Sequence, residues 1–104
     1  MRGMLLTLTA AVALWSAGCS TSPTDSGEAP VQEMSDARQA IEAARVAGSP
    51  RYTPERFREA QYLMEQAMLS LSQGEYQKAR DAAVSARARA ISARKAALAV
   101  QRME

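Results

Sequence analysis

"YQKARDAAVSARARAISARKAALAV", residues 76 to 100, decides the fold. Tyr76, Ala79, Ala83, Ala86, Ala90, Ala93, Ala97 and Val100 follow alternating steps of three and four. That spacing places them on one face of an α-helix and sustains a heptad seam. Alanine fills almost every seam position, so a partner backbone can come close. Val84, Ile91 and Leu98 form a second stripe at seven-residue spacing, with Arg80, Arg87 and Arg94 between the stripes. Such a helix is expected to touch two neighbours, with arginine stems along the groove.

The neighbours lie upstream. "SQGEYQKA" is a short turn, which forces the preceding helix to run antiparallel beside this one. That helix is expected to open with Thr53 as N-cap, Pro54 as first residue and Glu55 in the first turn, and to end at Gln73 with Gly74 as cap. Its apolar face reads Phe57, Ala60, Met64, Ala67 with Met68, and Leu71. Antiparallel pairing sets Glu59 opposite Arg89 and Glu55 opposite Arg94. A further helix is expected from Val31 to Ala47, with Met34, Ala37, Ile41 and Ala44 on one face, stopped by Gly48, Ser49 and Pro50. The fold class is all-α: an antiparallel hairpin completed to a three-helix bundle over residues 31–104, with a long Ala-rich C-terminal helix.

The first 30 residues read differently. Met1-Arg2-Gly3 is a short positive start, and Met4 to Trp15 is an apolar run. Ser16-Ala17-Gly18 supplies the small residues a signal peptidase accepts, so residues 1–18 read as a secretory signal. Residues 20–30, "STSPTDSGEAP", have no periodicity and read as a flexible tether of about 20 Å reach. Between the two stands Cys19, the one cysteine of the 104 residues.

"SAGC" resembles the bacterial lipobox, with Ser16 where Leu is usual. The resemblance implies a diacylglyceryl group on the Cys19 sulfur, cleavage before it and acylation of the new amino group. A secreted protein cut after Gly18, with a free thiol, is the alternative. Acyl chains contribute about 0.8 kcal/mol per buried methylene, so several make a stable anchor. Ser20, where Asp would suggest inner-membrane retention, favours the outer membrane and its periplasmic side.

Two further resemblances lie in the helical part. "GEYQKARDAAVSA" resembles the turn and second helix of a tetratricopeptide repeat through Gly74, Tyr76, Ala79, Ala83 and Ala86. Ile91 replaces that repeat's proline and no second unit follows, so no peptide-binding array is expected. Val31 to Met103 is similar to the family called domain of unknown function 4398. The "A-x-x-A-I-x-x-A" helix, the "Y-x-P-E-x-x-x-x-A" start and the "G-E-Y-x-x-A" turn carry that similarity. It implies a helical domain of envelope lipoproteins in Gram-negative bacteria, sometimes placed ahead of a peptidoglycan-binding domain. No such domain lies within these residues, so peptidoglycan binding is not carried over.

Composition narrows the chemistry. There is no histidine, and a single cysteine forms no internal disulfide and no Cys-based zinc site. A net charge of +2 does not point to nucleic acid. Glu55 and Glu59 sit one turn apart, but Arg56 and Arg58 lie between them and no catalytic set accompanies them. Met34, Met64 and Met68 read as core filling rather than soft-metal ligands. Tyr52, Tyr62 and Tyr76 read as rim residues. No enzyme activity, cofactor or metal is expected.

A structural or interaction lipoprotein is therefore expected, meeting an envelope protein, the cell wall or a second copy of itself. The alternative is a periplasmic chaperone-like or regulatory binder of peptides or ligands. The antiparallel pairing covers the last helix only to about Arg94. Lys95, Ala97, Leu98, Val100 and Arg102 beyond it are the expected partner contact, a partly apolar end with a positive rim.

Overall fold

The computed structural model describes residues 28–104. The expected signal segment 1–18, Cys19 and the expected tether as far as Gly27 lie outside the described residues. The described residues form an all-helical compact bundle of four helices: α1 (Val31–Val46), α2 (Ser49–Tyr52), α3 (Pro54–Ser72) and α4 (Tyr76–Arg102).

The long helix is the centre of the bundle. Ala79, Ala83, Ala86, Ala90, Ala93 and Ala97 are all fully buried. Both α1 and α3 pack along α4 and touch each other far less. α1 contributes Met34, Ala37, Ile41 and Ala44 to the core, and α3 contributes Phe57, Ala60, Met64 and Ala67. Small alanines on the shared helix face larger side chains on its partners. Bulk of Met, Phe and Ile thus fills the space that alanine leaves, as close packing requires.

Four sequence expectations need correction. First, the break after α1 is not simply a stop. Gly48 adopts φ 89°, and a fresh turn, α2, begins at Ser49. Pro50 is tolerated there because the first turn of a helix has no internal acceptor for its missing N–H. Second, Thr53 is the N-cap residue of α3, as expected, but its side chain makes no capping bond. Its hydroxyl donates instead to the Ala93 carbonyl of α4 at 3.1 Å. Third, Met68 is 44% exposed and does not fill the core; Ser70 is buried in the next turn and Leu71 is half-buried. Fourth, the end of the expected tether is held against the bundle, although Glu28 and Ala29 are themselves exposed. Pro30 is fully buried, and the Glu28 carbonyl accepts a hydrogen bond from the Arg80 guanidinium at 3.3 Å.

Candidate functional site

The far end of α4 is built from strong helix formers, "ARKAALAVQR", and carries no Gly or Pro to end it early. The helix therefore runs on past Arg94 to Arg102. Its last turns are not bare. The Gln101 side-chain amide donates to the Ala47 carbonyl at the end of α1. The Tyr52 hydroxyl donates to the Glu104 carboxylate at 3.3 Å. Thr53 and Arg56 tie the same region from the other side, Arg56 donating to the Ser92 hydroxyl at 3.0 Å. The segment from Ala47 to Thr53, missed as an element from sequence, thus folds over this end.

That arrangement divides the five expected contact residues. Ala97 is fully buried within the chain, so the expectation of a bare seam at this position is corrected. Leu98 and Val100 are exposed by more than a third, and Lys95 and Arg102 are exposed. Met103 beside them is 85% exposed. The end of α4 therefore offers an apolar and basic surface, but its alanine seam is closed off.

Beside it, a shallow open groove runs between the last two turns of α1 and α4. Ala43, Val46, Ala47 and Leu98 line it, with Arg94 and Glu42 at its edges. Arg94 lies here, on the α1 side. Its expected pairing with Glu55 is not formed, because the helix turns Arg94 away from α3. The other expected pair is present: Arg89 meets Glu59 at 3.0 Å, both about half exposed. Such pairs contribute roughly 0–1 kcal/mol. Glu59 is thereby engaged by an arginine.

Two contacts were not legible in sequence. Arg80 of α4 meets Glu33 of α1 at 3.3 Å, with both side chains about a third exposed or less. Arg45 of α1 lies over the Phe57 ring at 5.1 Å, linking α1 to α3 by a cation–π contact. The sequence sets Arg80 between the two stripes of α4 and gives Arg45 no place; only the packing of α1 against the hairpin fixes their partners. Among the methionines, Met34 and Met64 are buried in the core. Among the described residues, no group of three or more His, Cys, Asp or Glu is placed to hold a metal ion, and no helix is long and apolar enough to cross a membrane. Ser49 is fully buried at the start of α2 and its hydroxyl has no hydrogen-bond partner.

The family model described as "Domain of unknown function (DUF4398)" matches residues 32–103. No curated protein and no solved structure matches the chain.

Proposed function

The chain belongs to that family of domains of unknown function, DUF4398, and we propose that it is a non-enzymatic interaction module, held by lipid on Cys19 at the periplasmic side of the outer membrane. The observation that carries this reading is the cysteine at the border between an apolar N-terminal run and a Ser/Thr-rich stretch, within "SAGC". The thiolate chemistry of Cys19 suits thioether formation. Eight residues separate Cys19 from Glu28, where the described part of the chain begins. The exposed Lys95, Leu98, Val100 and Arg102 supply a surface of mixed apolar and basic character for an envelope partner.

A second reading, a periplasmic binder of peptides or small ligands, has the open groove beside Val46, Arg94 and Leu98 in its favour. The groove is shallow, whereas small-ligand sites usually enclose most of their ligand. The interaction module is therefore the better fit.

Replacing Cys19 with Ala and fractionating the cells tests the anchor. The variant is expected to leave the outer-membrane pellet, and the mature wild-type protein to carry the mass of acyl chains. A variant that still pellets with outer membrane, or a wild-type protein without acyl mass, refutes the reading.

A further inference from the structure

Basic residues are concentrated on one helix. α4 carries seven Lys or Arg against one Asp, whereas α1 and α3 each carry three acidic residues against two basic ones. Arg80 and Arg89 of α4 are engaged by Glu33 and Glu59, and Lys78 by Glu75. Among the described residues, no carboxylate forms an ion pair with Arg87, Arg94, Lys95 or Arg102. Val84, Ala88, Ile91, Lys95, Leu98 and Arg102 recur at steps of four and three, so they form one stripe. It lies on the side of α4 away from the buried alanines. Val84 is 54% exposed and Leu98 36%, and Ile91 is half-buried. The stripe extends about 27 Å, at 1.5 Å per residue.

We propose that this stripe of α4 lies against an anionic lipid leaflet, with Val84, Ile91 and Leu98 facing the acyl boundary, Lys95 and Arg102 of the stripe reaching the phosphates, and Arg87 and Arg94 reaching them from the α1-side flank of the helix. Long basic side chains keep their stems on apolar surface while their heads reach charge, and basic apolar helix faces bind anionic bilayers in this way. A second copy fits poorly, because stripe against stripe sets cations against cations. The path of the chain favours the bilayer. The Glu28 carbonyl is bound by Arg80, one turn before Val84, so the N-terminal segment enters beside the start of the stripe. The nine residue-to-residue steps from Cys19 to Glu28 span at most about 30 Å. An anchor at Cys19 therefore holds the stripe within about its own length of the membrane, and docking becomes an intramolecular step. This part of the argument rests on the proposed anchor.

The test measures depth rather than binding, since the apolar segment 4–15 brings the full chain to any vesicle. A nitroxide is placed at Leu98→Cys, or at Tyr62→Cys on α3, where the native side chain is 58% exposed. Both full-length chains also carry Cys19→Ser, so a missing lipid modification does not affect the outcome and is read separately by fractionation. Vesicles are phosphatidylglycerol with phosphatidylethanolamine, or phosphatidylcholine alone. Collision with oxygen reports lipid, and collision with a nickel chelate reports water. In anionic vesicles the label at 98 is expected in lipid and that at 62 in water. In phosphatidylcholine, or with Arg87, Arg94, Lys95 and Arg102 all changed to Gln, the label at 98 is expected in water. The Gln variant must keep the wild-type melting temperature; if it does not, the phosphatidylcholine arm decides. An aqueous label at 98 in anionic vesicles overturns the proposal, as do equal depths at 98 and 62 or immersion that ignores lipid charge. Crosslinking at 98 to an acidic protein, without immersion, transfers the surface to a protein partner.

Discussion

At the residue scale, the two glycines that follow helices differ in what surrounds them. Gly48 has φ 89° and Gly74 has φ 75°, both in the left-handed region that a side chain disfavours. A Cβ added at Gly74 meets nothing within 4 Å. One added at Gly48 stands 3.0 Å from the Gln101 side-chain amide and 3.0 Å from the Tyr52 ring. The left-handed conformation costs an L-residue about 1–2 kcal/mol. Gly74→Ala is expected to lose about that much, and Gly48→Ala clearly more, since it must also displace Tyr52 and Gln101. About 1 kcal/mol shifts the melting temperature of a domain this size by roughly 4–8 °C, so thermal unfolding separates the two. Equal shifts would mean that the neighbours of Gly48 give way freely. The sequence marks both glycines as helix stops, because that follows from local backbone preference. It does not distinguish them, because the crowding at Gly48 comes from Gln101, over fifty residues away.

At the scale of elements, alanine on α4 does two jobs that a larger residue does one at a time. It keeps helix propensity at its maximum over a long helix, and it lets α1 and α3 both approach the same helix. Ala86 is fully buried at that junction, while Ala88, two residues on, is exposed. Overpacking a tight core costs roughly 1–3 kcal/mol. Ala86→Leu is expected to lose stability in that range, and Ala88→Leu to stay within about 0.5 kcal/mol of the wild type. Chemical denaturation of the two variants reads the difference, and a similar loss at both positions would contradict the packing of α4. This seam was legible because six alanines kept one period, and the faces of α1 and α3 were legible for the same reason. α2 was not, since four residues are too few to show a period and Ser-Pro reads equally as a stop. Thr53 holds the cap position before Pro54, yet its hydroxyl goes to Ala93. Local sequence offers a capping bond but cannot weigh it against a carbonyl brought near by tertiary packing. Arg94 was assigned to α3 by pairing order alone, and the turn of the helix carries it to α1.

At the scale of the whole molecule, the chain closes on itself where its last turn meets its first loop. The sequence places a candidate surface at this end, and Lys95, Leu98, Val100 and Arg102 are exposed there. It does not show that this end is tied down, because α2, the element without a period, packs there; Cys19, the other candidate, lies outside the described residues. The closure changes what a truncation reports. Removing residues 96–104 would take out buried Ala97 together with Gln101, so a fall in melting temperature would say nothing about a partner. Removing only 101–104 leaves Ala97 and takes away two ties, Gln101 to Ala47 and Tyr52 to Glu104. The Ala47 carbonyl then loses its side-chain donor, and α2 keeps only its packing and its bond from Thr53 to Ala93. A lost hydrogen bond of this kind costs about 0.5–1.5 kcal/mol net. The loss should be local: amide exchange at Arg51, Tyr52 and Thr53 should accelerate, because these amides bond only within the short turn to Gly48 and Ser49. Amides of α4 between Ala83 and Ala93, deep in the alanine seam, should exchange at rates lowered only by the small global change. Hydrogen exchange followed by mass spectrometry on the truncated chain makes the comparison. Uniform acceleration through α4, or none at α2, would show that the C-terminal turn does not secure the loop and that α2 is fixed by its packing alone.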